Sequence, residues 1–232
     1  MAVNPNNAIM VDASDLERIA EVLKDFPEEA GKVTAQVLWD LREQARTVLA
    51  QEIPKVYAIS GKMVRGAITK ERKRFVRTGY NTVTNEVSIE VVGERIKVAR
   101  FQHGPQKPPT PTKGPKKTKV VSRVTIIRSR GVRVFNPWMG ADGKPKNVFL
   151  LSTKTQKEGG IKYIFGRRMG TPRKSKENLE TVWALEGPAI PQMMKHPKVE
   201  PAIQFQMLQR MDKQVNRRLE NMVVHMATKV GK

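Results

Sequence analysis

Cysteine is absent from the 232 residues, which excludes a disulfide scaffold, a thiolate zinc site, an iron–sulfur cluster and a cysteine nucleophile. Histidine occurs three times, so a multi-histidine metal centre would need every one of them in one place. Aromatic residues make up 6%, and the basic runs lack the interleaved rings on which unpaired bases stack. No run of eighteen apolar residues appears, so no membrane span is expected. Met1 to Met10 has neither a basic start nor an apolar stretch, and no secretory signal is expected. What remains is 39% hydrophobic and 28% charged, enough for a modest core.

Acid is the other scarcity. Forty-three Lys and Arg stand against 22 Asp and Glu, a net charge of +21. Residues 1–52 hold five basic and ten acidic side chains, a balance of −5, which leaves +26 for residues 53–232. Between Glu94 and Asp142 there is no acidic side chain, while twelve Lys and Arg accumulate. A field of this strength attracts polyanions or acidic protein faces, and it speaks about association rather than fold.

Asn4, Pro5, Asn6 and Asn7 offer turn chemistry and little to bury, so residues 1–14 read as an N-terminal arm. Asp12 or Ser14 is placed to cap a short helix bearing Leu16, Ile19, Ala20 and Leu23 on one face. Pro27 with Glu28 and Glu29 reads as a helix start, with proline in the first turn and acids at the positive dipole end. Ala30, Val33, Val37, Leu38, Leu41, Ala45, Val48 and Leu49 then recur at three- and four-residue spacing up to Pro54, an amphipathic helix of about seven turns. Ser60 opens a second short helix with Met63, Val64, Ala67 and Ile68. Strand character follows over 74–92, with Gly79 and Asn81 marking a turn or bulge, and again over Ile96, Val98 and Phe101.

Residues 104–119 differ in kind. Their prolines keep the backbone extended and unpaired, nothing large and apolar interrupts them, and sixteen residues reach roughly 50 Å when stretched. Strands resume at 120–127, Val132–Phe135, Val148–Leu151 and Ile161–Phe165, with Gly159-Gly160 as a hairpin turn. The clearest element is the last. Ile203, Met207, Met211, Val215, Leu219, Met222 and Met226 form one stripe, free of proline and glycine before Gly231, and predict a helix over 201–230.

Candidate chemistry is thin. His103, His196 and His225 are dispersed, and no metalloprotease, serine-hydrolase or phosphate-loop motif occurs. Gly140, Asp142 and Gly143 resemble part of a calcium loop whose further acidic ligands are missing. Neither catalytic residues, a metal site nor a cofactor is expected. Binding chemistry is richer. Lys113, Lys116, Lys117, Lys119, Arg123, Arg128, Arg130 and Arg133 form one basic stretch, and Arg167, Arg168, Arg173 and Lys174 belong to another. Such cations suit sequence-blind contacts to a nucleic-acid backbone or to an acidic protein face. An acidic start and a basic remainder also suit contact between neighbouring copies, closing into a ring where the rotation permits.

The order of features resembles the minor tail protein Z, or tail completion, family of long-tailed bacteriophages. The resemblance runs from about residue 15 to the end. It is carried by Leu23 to Pro27, by Ala45-Arg46-Thr47 in the long helix, and by Ile53 with Tyr57, Ala58 and Ile59. It continues through Arg100-Phe101 before a proline-rich stretch, Val148 to Leu150, Ile164 to Arg168, Gly187 to Met193, and the C-terminal helix. These marks are diffuse and are recognised by order and spacing. The resemblance implies an α+β fold: N-terminal helices and a long C-terminal helix on a mainly antiparallel sheet, in one domain over 15–232. It further implies a structural virion protein at the head-proximal end of the tail. There it would form a ring, expected to be hexameric, between tail terminator or tail tube and head connector, with channel DNA within reach. Tail terminator is the alternative inside that class, and a sequence-nonspecific nucleic-acid-binding protein the alternative outside it.

Overall fold

The computed structural model describes residues 7–68, 75–93, 95–107, 121–152, 163–173 and 176–230. In chain order these form β1 (Ala8–Asp12), α1 (Ser14–Val22), α2 (Pro27–Val56), α3 (Gly61–Ala67), β2 (Phe75–Asn81), β3 (Glu86–Val92) and β4 (Arg95–Lys97). Then come β5 (Gln102–Gly104), β6 (Arg123–Thr125), β7 (Arg133–Val134), β8 (Trp138–Met139), β9 (Pro145–Lys146) and β10 (Val148–Ser152). The chain ends with β11 (Tyr163–Arg173), β12 (Lys176–Ala184), β13 (Glu186–Ala189), α4 (Ile190–Met194) and α5 (Glu200–Val230). The fold is α+β with antiparallel sheets and a long C-terminal helix. The chain gathers into two compact units. The first is residues 1–53, 61–94 and 189–232, and the second residues 54–60 and 95–188.

In the first unit the helical periodicities become burial. Val33, Val37, Leu41, Ala45, Val48 and Leu49 of α2 are all buried, as are Ile203, Met207, Met211, Val215 and Leu219 of α5. Each Val, Leu, Ile or Met among them contributes about 1.5–3 kcal/mol when fully buried. Met222 is half-buried, and the side chain of Met226 lies outside the described residues. Polar contacts set the helices in register: Arg218 reaches Asp40 at 2.7 Å, and Arg18 reaches Asp212 at 3.2 Å.

The sequence places the end of the long helix at Pro54, yet α2 continues to Val56. Proline removes one N–H and with it one helical bond, and so late in the helix that loss leaves the earlier turns untouched.

The arm is also more structured than its composition implies. Ala8, Ile9 and Val11 are buried, because β1 pairs antiparallel with β3 at the edge of a β1-β3-β2 sheet. Asp12 takes the first amide of α1, its Oδ1 accepting from Ser14 N at 2.7 Å, and this bond lowers the Asp12 pKa. The β2–β3 turn falls at residues 82–85, with Asn85 at φ 48, rather than at Gly79. Gly79 has a different setting. It lies inside β2 opposite Ser88, where a Cβ would sit 3.0 Å from the serine Oγ.

Asp15 gives the first prediction. Burial, and then the charge of Asp212, raise its pKa, with Arg18 partly offsetting them. A carboxyl whose folded pKa lies above its unfolded value favours folding while protonated, and opposes it once pH rises through the folded value. Asp15→Asn therefore melts at or above the wild-type temperature at neutral pH. The two melting curves converge when pH falls below the ordinary carboxyl range of about 4. A lower melting temperature for the variant at neutral pH contradicts this assignment.

The second unit is built from short strands. β5-β6-β7 and β10-β11-β12 each form a three-stranded sheet, and β8 pairs with β9 and β13 with β4. Phe165 of β11 is fully buried against His103, with ring centroids 5.1 Å apart, and Phe135 at 5.3 Å. The Ser122 hydroxyl donates to the Val148 carbonyl at 3.0 Å, tying the segment before β6 to β10. The expected hairpin at Gly159-Gly160 lies outside the described residues. So does 108–119 of the proline-rich stretch, although residues 104–107 are described. Among the described residues no helix is long and apolar enough to cross a membrane.

Candidate partner-contacting basic surface

The described members of the first basic stretch gather on β6, β7 and the turn between them. Arg123, Arg128, Arg130 and Arg133 are all exposed, but they do not share one role. Arg123 pairs in register with Gly104 and Val134, and Arg133 with Val124. Adjacent strand positions point to opposite faces, so Arg123 and Arg133 flank the small sheet on its two sides.

Arg123 lies over Gly104, where a Cβ would meet its Nε at 3.0 Å. It helps to line an open cleft of about 470 Å³ with Gln102, His103, Gly104, Pro105, Gln106, Val124, Thr125 and Val132. His103 Nδ1 lies 2.9 Å from the Pro105 carbonyl. A carbonyl only accepts, so that nitrogen carries the ring proton.

Arg128 is engaged within the fold. Its Nε donates to the Pro54 carbonyl at 2.9 Å, satisfying one of the orphan acceptors at the end of α2. Arg130 acts on Tyr57. Burial raises the tyrosine pKa, and the arginine charge pulls it part of the way back.

The second basic stretch divides across a sheet. Arg167 pairs with Val148 and Trp183, while Arg168 pairs with Val182, and alternation sends the two side chains to opposite faces. The Arg167 guanidinium lies 4.7 Å from the Trp138 ring centroid and 5.8 Å from that of Trp183. Arg168 lies 5.3 Å from Phe149. The side chain of Arg173 lies outside the described residues, as do Lys113, Lys116, Lys117, Lys119 and Lys174. Sequence reading notes the scarcity of aromatics but misses these stacks. Trp138 and Trp183 are far from Arg167 along the chain, and only the register of β11 and β12 brings Trp183 beside it.

The calcium-like turn is occupied by protein. Lys146 Nζ donates to Asp142 Oδ2 at 2.6 Å, and this bond leads in holding the carboxyl below its usual range. Among the described residues no group of three or more His, Asp or Glu is placed to hold a metal ion. Set beside known proteins, the chain matches no family model, no curated protein and no solved structure.

Proposed function

We propose that the protein is a structural virion component, a tail completion protein at the head-proximal end of a phage tail. In this reading copies form a ring, hexameric in the simplest case, that presents one rim to the tail terminator or tube and another to the head connector. The carrying observation is the acid-free run between Glu94 and Asp142, whose described arginines 123, 128, 130 and 133 are all exposed. Exposed cations with no acid interspersed suit a complementary surface better than solubility alone, for which mixed signs are the usual solution. The order of marks along the chain supports the same reading.

The same exposed arginines favour one second reading, a nucleic-acid-binding protein acting alone. Two measurements on one preparation separate the readings. The tail reading expects the chain in purified particles of the virus that encodes it, and only weak retention of duplex DNA with a shallow dependence on salt. The second reading expects a log–log salt slope near −0.9 per phosphate contacted, in a chain absent from particles. Absence from particles together with a steep slope overturns the tail reading.

A further inference from the structure

The first unit carries an unclaimed groove between α2 and β2. It measures about 340 Å³ and is lined by Ala35, Leu38, Trp39, Arg42, Arg77 and Thr78. The Thr78 hydroxyl donates to the Leu38 carbonyl at 3.0 Å, fixing strand against helix along the groove floor. Trp39 is 56% exposed, and the Arg42 guanidinium lies 5.5 Å from its ring. Arg42 Nε is buried without an acceptor among the described residues. Both charged residues of the lining are cations. Tryptophan and arginine are the residue types that dominate binding energy at protein interfaces, especially where an apolar anchor meets a concavity. The matching ligand is an aromatic side chain flanked by carboxylates.

The same unit displays such a segment. Phe26 is 49% and Val22 55% exposed, and Glu21, Asp25 and Glu28 beside them are exposed as well. This turn cannot fold into its own groove. Pro27 and Ala35 belong to one helix, and eight residues of helix hold them about 12 Å apart.

We propose that the Phe26 turn of one copy seats in the Trp39 groove of another, with the Asp25 and Glu28 carboxylates meeting Arg42. The two copies use different surfaces, so the contact is heterologous and propagates into a ring or filament. The net charge of +21 opposes association at long range, and physiological salt screens it within about 8 Å. This contact deepens the assembly reading by naming its copy-to-copy interface, and rests on that reading only for its setting.

The test uses two full-length variants, checked by circular dichroism and melting temperature for an intact fold. Trp39→Ala with Arg42→Glu destroys the groove and keeps the turn. Asp25→Lys with Glu28→Lys destroys the turn and keeps the groove. In sedimentation velocity at millimolar concentration the wild type forms species larger than a dimer, and each variant alone is monomeric. An equimolar mixture gives a 1:1 dimer and nothing larger, because one intact turn meets one intact groove. General damage to the surface would not produce that pairing. A monomeric wild type, a monomeric mixture, or variants that associate as the wild type does would each overturn the contact. Particle composition, measured separately, judges the tail reading.

Discussion

Phe165→Ala lowers the stability of the second unit by about 3–5 kcal/mol, the cost of removing a buried aromatic ring together with the cavity it leaves. The position combines three demands. Phe165 is fully buried, it pairs with buried Leu150 across the β10–β11 ladder, and its ring faces His103 and Phe135 from two further segments. Its carbonyl accepts from Leu185 N at 2.7 Å, so the backbone cannot readily shift to fill the void. Native domains are stable by only about 5–15 kcal/mol in total, so one substitution removes a large share. Denaturant titration of the full chain reads the effect, and Phe165→Leu, which keeps most of the volume, recovers the larger part of it. A change within about 0.5 kcal/mol for alanine, the range of ordinary surface substitutions, contradicts the assigned core.

The second large effect is functional. Reversing Lys113, Lys116, Lys117 and Lys119 to glutamate turns a local charge of +4 into −4, counting one charge per lysine of the sequence. An exposed ion pair is worth about 0.2–1 kcal/mol, and a like-charge pair costs a similar amount. On the tail reading the change is repeated on every copy of a ring, so eight units of local charge per copy weaken the join between two rims. That reading expects infectious yield to collapse, with full heads and finished tails accumulating apart. If the target is DNA, the binding slope against salt falls by about 0.9 for each phosphate that a lysine no longer neutralises. Unchanged yield contradicts a joining role for these lysines.

The two long helices were legible because their physics is local. A stripe at three- and four-residue spacing needs only one buried side, and Val33 to Leu49 and Ile203 to Leu219 turn that side inward. The second unit was less legible. β7, β8 and β9 are two residues each, too short to show a period of two. β12 (Lys176–Ala184) carries Lys176, Glu177, Asn178 and Glu180, poor strand formers on their own, and is a strand because β11 supplies a long partner. Gly79 with Asn81 looked like a turn or bulge; the turn follows Asn81, and Gly79 lies inside β2 close against Ser88. The basic surface was legible as charge but not as geometry. Arg128 spends its Nε on Pro54, and Arg167 and Arg168 part to opposite faces. Trp39 lies off the stripe of α2 and carries no motif, so only the fold shows it as an exposed ring beside Arg42 and Arg77.

The most direct test of the structural reading is a cryo-electron reconstruction of the neck of the particle that encodes this chain. The account expects a closed ring of copies at the head-proximal end of the tail, with the basic residues between Glu94 and Asp142 turned toward an acidic neighbour or the channel. A neck fully explained by other chains, with this one missing from the particle, contradicts it.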